Sequence, residues 1–169
     1  MSETTSDSAH VSRLKTRLAQ LSDVSEITRV INSAFKNAES FFVERDRIDA
    51  HSVHDFLAKG KFLVGEHEAA IVGCVYVELR GERAYIGLLA VDPSLQRSGL
   101  GSQLMTAAED YCRHSGCRFV DLRIVSVRPE LPMFYRKRGY VEAGTEPFPD
   151  SIPTKLSCHF VKMSKGLAG

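Results

Sequence analysis

The sequence predicts an α/β fold: a mixed, mostly antiparallel central sheet with flanking helices, in which one parallel pair of strands splays apart at one end. Three observations predict it. Residues 61–91 contain three β-like runs joined by short turns at Glu66–Ala69 and Arg80–Arg83, an antiparallel meander. The last of these runs, Ala84 to Val91, is followed by a helical segment and then by the strongly β-like Arg118 to Val127 (RFVDLRIVSV). A strand, helix, strand unit of this length is a crossover, so its two strands run parallel. Between the first strand and the helix lies Gln96-Arg97-Ser98-Gly99-Leu100-Gly101, a glycine-bearing turn at a helix start.

Each element can be justified in chain order. Met1 to His10 is Ser/Thr-rich and acidic, without a basic start or an apolar segment. It reads as a flexible tail and not as a signal peptide. A single domain is expected over residues 11–165, with a short C-terminal tail at 166–169. Val11 to Leu18 alternates weakly and reads as a first strand. Ser22 or Asp23 can cap a helix whose apolar positions are Val24, Ile27, Val30, Ile31, Ala34 and Phe35, ending near Asn37. Ala38 to Ala50 lacks clean periodicity and places Phe41-Phe42 among charges, as a pinned surface loop or a substrate-binding loop would.

A short helix is expected from Ser52 to Lys59, stopped by Gly60. The meander then begins with Lys61 to Gly65 and Ala70 to Arg80, where Gly73 marks a bulge or a close approach. Beyond the glycine turn, Leu100, Leu104, Ala107, Ala108 and Tyr111 recur at the spacing of one helix face. Pro129 opens a short helix, Glu130 to Arg138, closed by Gly139. Tyr140 to Gly144 is a brief strand, Glu146 to Pro153 a Pro-rich loop, and Lys155 to Met163 the final strand.

Composition narrows the function classes. The 169 residues are 43% hydrophobic and 25% charged, enough for a sizeable core. Lys and Arg number 22 against 21 Asp and Glu, a balance that calls for neither a nucleic-acid nor a membrane-surface partner. No apolar run approaches the ~18 residues of a membrane helix. Cys74, Cys112, Cys117 and Cys158 form no C-x-x-C pair and have no matching His pair, so no metal site is expected. Reduced, mostly buried thiols in a cytoplasmic protein are the reading that fits them.

The glycine turn carries the chemistry. A strand, a turn and a helix start aim free backbone N–H groups and the positive end of a helix dipole at an anion. Gly99 and Gly101 let a ligand approach the backbone, and Arg97 adds a cation. A phosphate or pyrophosphate site at about residues 97–102 follows. It is not a dinucleotide fingerprint: Leu104 stands where the third glycine of G-x-G-x-x-G belongs, and the turn lies mid-chain behind a meander. Nor is it a P-loop, because no Lys follows Gly101.

The run VDPSLQRSGLGSQLM resembles the acetyl-CoA pyrophosphate motif of the GNAT N-acetyltransferase superfamily, (Q/R)-x-x-G-x-(G/A), with Gln96, Gly99 and Gly101 at its core. PMFYRKRGY, Pro132 to Tyr140, is similar to the family's later motif, a helix ending in F-Y-x-x-x-G-(F/Y). The element order fits from Arg13 to Met163. This resemblance implies acetyl-CoA as co-substrate, lying between strands 84–91 and 118–127. It implies that the pantetheine arm pairs with the backbone of Leu89, Ala90 and Val91. The pyrophosphate would then be held by Gln96, Arg97, Ser98, Gly99, Leu100, Gly101 and Ser102, chiefly through backbone N–H groups. Tyr135 matches the tyrosine that protonates the departing thiolate. The implied reaction is direct attack of a primary amine, small-molecule or peptide, on the acetyl carbonyl in a ternary complex.

Two departures stand out. The strand position that carries a basic Glu in several members is Tyr85, a poor base with a reference pKa of ~10. Glu78, Glu82 and His159 are alternatives by proximity in the expected sheet. Where members often carry an Asn at the end of the second cleft strand, this chain has Ser126-Val127-Arg128-Pro129. A non-catalytic acyl-CoA sensor of the same fold, and a transferase using another acyl-CoA, remain alternatives. The loops Glu39–Asp49 and Glu146–Pro153 are expected to frame the acceptor pocket. Their mixed charge selects no amine class, and a homodimer through terminal strands is left open.

Overall fold

The computed structural model describes residues 13–43, 46–96 and 98–168. The expected tail at 1–10 and the start of the first strand at Val11 lie outside them. Seven strands, β1 (Lys15–Leu18), β2 (Lys61–His67), β3 (Ala70–Arg80), β4 (Arg83–Val91), β5 (Phe119–Val125), β6 (Val141–Pro147) and β7 (His159–Gly166), form one sheet in the order β1-β2-β3-β4-β5-β7-β6. Every neighbouring pair is antiparallel except β4 and β5, which are parallel.

Four α-helices cover the sheet: α1 (Val24–Glu39), α2 (Ala50–Lys59), α3 (Leu100–His114) and α4 (Glu130–Lys137). One core cluster joins Ile27, Val30 and Ile31 of α1 and Val53 of α2 to Phe62, Cys74 and Tyr76. The other joins Leu100, Leu104, Met105 and Ala108 of α3 and Tyr135 of α4 to Leu63, Val75, Val77 and Ile86. β2 and β3 feed both clusters because successive strand residues point to opposite faces.

The glycine helix is set slightly differently from its expected face. Met105 and Cys112 are fully buried beside Leu100, Leu104 and Ala108, whereas Ala107 and Tyr111 are half-buried at the flank. Glu109 on the same helix is only 4% exposed. It accepts hydrogen bonds from Tyr140 Oη at 2.7 Å, Arg138 at 2.9 Å and Lys165 at 3.2 Å. That network holds the C-terminal end of α4 and strand β7 against the back of α3.

Several boundaries move. α1 runs on to Glu39, so the expected loop from Ala38 starts two residues later, and Asp49 caps α2 by accepting from Ser52 N at 2.7 Å. β6 extends to Pro147, while β7 begins only at His159 and not at Lys155. β7 runs through Gly166, and Leu167 is buried with its N–H donating to Arg118 O at 2.8 Å, so 166–168 are not a free tail.

Gly60 ends α2 in extended backbone, φ −155°, and not in the left-handed turn expected of a helix-stopping glycine. Its need for glycine is steric: an added Cβ would lie 2.4 Å from Val77 O and 2.7 Å from Tyr76 Oη. Gly60→Ala should therefore destabilise the fold by about 1–3 kcal/mol, the usual cost of overpacking. Urea unfolding measures it, with Gly166→Ala as the contrast, since a Cβ there meets nothing within 4 Å and stability should hold.

Candidate active site

The site begins with a mismatch between β3 and β4. Cys74 pairs with Ala90 and Tyr76 pairs with Gly87, so two steps along β3 span three along β4. The extra residue is accommodated at Leu88, whose φ is +51°. A branched side chain rarely adopts that conformation. A one-residue slip exchanges the faces of a strand. Before the bulge, Ala84 and Ile86 pack on the α3 side and Tyr85 on the α1 side. After it, Leu89 and Val91 pack on the α3 side and Leu88 and Ala90 on the α1 side.

The bulge also separates the parallel strands. β4 and β5 pair only at Arg83–Phe119, Ala84–Val120 and Tyr85–Asp121. β5 meanwhile stays paired with β7 over its full length. The edge of β4 from Ile86 to Val91 is thus unpaired toward β5 among the described residues.

Two cavities flank this divergence. The first, about 710 Å³, is lined by Leu89, Ala90 and Val91, by Gln96 and Gly99, and by Leu100, Gly101 and Ser102 at the start of α3. Its far wall is Ala34 and Asn37 of α1 with Leu131 and Phe134 of α4. Gly99 is the N-cap of α3, with φ +83° and no capping side chain. The first bond of the helix is Gln103 N to Gly99 O at 3.1 Å, so the N–H groups of 100–102 precede any helical acceptor. At Gly101 an added Cβ would make only ordinary contacts, 3.8 Å from Phe134 and 4.0 Å from Leu89, so its bareness matters to the space in the cleft and not to the backbone.

The second cavity, also about 710 Å³, lies among Phe56, Tyr76, Tyr85 and Leu88 on one side and residues of β5, β6 and β7 on the other. The two share Phe35, Arg128 and Leu131. Glu39, the last residue of α1, lines the second cavity and is 7% exposed. Its carboxylate accepts from Arg128 at 3.2 Å, and burial, outweighing Arg128 and Arg47, raises its pKa above the usual carboxylate range. Glu78 lines the same cavity, accepting from Tyr76 Oη at 3.1 Å and from Arg80 at 2.5 Å.

A match to the acetyltransferase (GNAT) family covers residues 23–140. The chain belongs to this family. It is thus an acyltransferase that uses acetyl-CoA as co-substrate. The fold has many solved relatives. The Ard1 protein of Thermoplasma volcanium superposes with a TM-score of 0.76 at 22% identity, over 92% of this chain and 99% of that one. The PaiA N-acetyltransferase of Thermoplasma acidophilum, solved with coenzyme A, gives 0.75 at 16% over 92% and 99%. YncA of Salmonella typhimurium, a putative acetyltransferase solved with acetyl-CoA, gives 0.72 at 19% over 94% and 96%. No curated protein sequence matches the chain.

Within this GNAT domain the residues singled out from sequence fall into three groups. Leu89, Ala90, Val91, Gln96, Gly99, Leu100, Gly101 and Ser102 line the first cavity together. Ser98 does not; its hydroxyl donates to Leu95 O within the turn. Arg97 lies outside the described residues. Tyr135 lines neither cavity and is 8% exposed, edge-on to Phe134 at 4.9 Å and to Tyr140 at 5.7 Å. It lies close enough to Arg128 and Tyr85 for both to affect its acidity, and burial pushes its phenol up to about 12.

Tyr85 lines the second cavity, its ring over Gly87 and under the Arg80 guanidinium at 5.0 Å. Of the alternative bases, only Glu78 reaches a cavity. Glu82 sits in the exposed β3–β4 turn beside Arg118, and His159 is exposed where β7 begins. Arg128 and Glu39 were not singled out as site residues. Glu39 lay at the edge of the expected loop, and the signal that could have found it was a carboxylate on the apolar face that runs through Val24, Ile27, Ile31 and Phe35. None of the cysteines lines either cavity. Among the described residues, no helix is long and apolar enough to cross a membrane.

Proposed function

We propose that this GNAT enzyme transfers the acetyl group from acetyl-CoA directly to a primary amine, within a complex that holds both substrates. The observation that carries the proposal is the meeting of two cavities at Phe35, Arg128 and Leu131 beside the Leu88 bulge. One cavity offers unpaired strand edge and helix-start N–H groups, which suit pantetheine and pyrophosphate. The other offers carboxylates, which suit an amine. No thiol lines either cavity, and burial pushes Cys74, behind the bulge, up to about 12, so nothing supports an acyl-cysteine intermediate.

In this reading the backbone of Leu89, Ala90 and Val91 pairs with the pantetheine amides. A free N–H on that edge polarises the thioester carbonyl as charge builds on its oxygen. The N–H groups of residues 98–102 hold the pyrophosphate. Glu39 accepts one proton from the incoming ammonium, which leaves a neutral amine, and the second proton, lost as the nitrogen bonds to the acetyl carbon, passes to solvent. The amine nitrogen bonds to the acetyl carbon, the carbon–sulfur bond breaks, and the thiolate leaves. Tyr135 stays a neutral phenol at ordinary pH; it sits behind Phe134 and near Arg128 and Tyr85, and in this reading its side chain turns toward the junction of the cavities to donate a hydrogen bond to that sulfur. Its raised pKa, against ~8.5 for a thiol, favours hydrogen bonding over complete proton transfer.

Three outcomes test this. Gly101→Leu should fill the first cavity and abolish the rise in melting temperature that CoA produces, with the unliganded melting temperature nearly unchanged. Glu39→Gln should lower kcat by about 10²–10⁴-fold, as loss of a general base does. Because the folded carboxyl is raised, the wild-type rate should fall as pH drops through a value above the ordinary ~4.3, and this limb should vanish in the variant. Tyr135→Phe should reduce turnover, measured as CoA release, while CoA affinity is retained. A Glu39→Gln enzyme with unaltered rate and pH profile would sink the assignment of the base.

A further inference from the structure

We propose that the acceptor amine carries an anionic group, a carboxylate or a phosphate, bound by Arg123 and Lys162. This rests on the reading of the second cavity as the acceptor site.

Among the described residues, the lining of that cavity carries seven Arg or Lys side chains and four carboxylates, Glu39, Glu78, Asp121 and Glu146. Most of the charge is matched locally. Arg83 makes a two-pronged pair with Asp121 at 2.6 and 2.7 Å, Arg80 pairs with Glu78, and Arg128 with Glu39. Of the remaining charges, Arg47 and Lys59 lie on the α1–α2 side, while on the far wall two cations stand with one carboxylate. Arg123 of β5 stands directly opposite Lys162 of β7 in the antiparallel ladder. Like charges in that register repel. Both ion-pair with one carboxylate, Glu146 of β6, whose two oxygens lie 3.4 Å from Arg123 and 3.4 Å from Lys162; Asp121, already bound by Arg83, attracts Lys162 from further off. The Arg123 guanidinium is held in place 4.3 Å above the Phe160 ring, which fixes its direction at little further entropic cost. Lys59, on the α2 side of the cavity, pairs with no carboxylate among the described residues.

A cavity wall in which two cations on neighbouring strands share one carboxylate is incomplete without a further anion. A purely cationic acceptor such as a polyamine would meet repulsion there, whereas a zwitterionic one would be matched at both ends. Its ammonium would face the Glu39 side, and its carboxylate or phosphate would face Arg123 and Lys162. The wall therefore discriminates as well as binds, since a mismatched acceptor leaves like charges facing each other.

The test is a CoA-release assay with matched acceptors. α-Amino acids are compared with their amides in one arm, glucosamine 6-phosphate with glucosamine in another, and spermidine serves as the polycation. The anionic member of at least one pair should have a kcat/KM about tenfold or more above its neutral partner, the value of one charge-assisted contact. Whichever arm shows the preference identifies the anion. Arg123→Gln and Lys162→Gln should each raise KM for that acceptor about tenfold or more on the same reasoning, with kcat and the CoA-induced melting shift retained. Each variant leaves Glu146 one cation, which guards the fold.

If neutral partners and spermidine are used as well as the anionic members or better, the proposal is overturned while the transferase reading stands. If no acceptor releases CoA, melting curves with CoA plus each acceptor read binding alone. A further shift confined to anionic members supports the proposal without turnover. No further shift from any of them overturns it together with the acceptor-site reading.

Discussion

The extra residue at Leu88 is the constraint on which the rest of the site depends. Without it β4 would continue in register with β3, present one set of side chains to each face throughout, and have no cause to part from β5. With it, Tyr85 and Leu88 reach one cavity and Leu89 to Val91 the other, and a short stretch of backbone loses its ladder partner. Holding a leucine at φ +51° costs of order 1–3 kcal/mol, and the structure around it must over-determine that strain. Here the surroundings are Cys74 and Ala90 on one side of the bulge and Tyr76 and Gly87 on the other, of which Cys74, Ala90 and Tyr76 are buried in the core.

Charge at the junction of the cavities is arranged with similar economy. Glu39 and Arg128 are nearly buried, with side chains 9% and 16% exposed, and they join the end of α1 to the segment after β5. A pair taken out of water gains little net stability, because desolvation offsets attraction. What it supplies is placement. The carboxylate is held at the wall of one cavity by a guanidinium that borders both, and its raised pKa brings its basicity toward the range in which proton acceptance is useful.

Much of the fold was legible because it rests on local signals. The meander, the crossover and the parallel central pair all follow from turn spacing and strand order, and all three are present. The glycine turn was legible for the same reason, since its residues are contiguous, and Gln96, Gly99, Leu100, Gly101 and Ser102 line one cavity. The bulge was not: no glycine marks it at Leu88, and its signature is a register mismatch that exists only once β3 is paired. Glu39 was hidden because a charged residue at a helix end ordinarily faces solvent, and its burial becomes tolerable through Arg128, which returns from 89 residues away, with Arg47 nearby. The late start of β7 has a similar cause. Lys155 to Cys158 alternates like a strand, but the ladder with β5 and β6 begins only at His159 and Phe160.

The buried Glu109 has a consequence for the order in which the chain can complete itself. Its three partners lie 29, 31 and 56 residues further on. A chain emerging from the ribosome can form the meander and pack α3 long before Lys165 exists, yet at that stage the carboxylate lacks a cation it will later need. Arg138 and Tyr140 match the carboxylate first, and Lys165 adds the second cation, so the packing of α3 is completed only when β7 docks. Consolidation of the acetyl-CoA side of the molecule is thereby tied to the docking of β7, which brings Lys165 to Glu109.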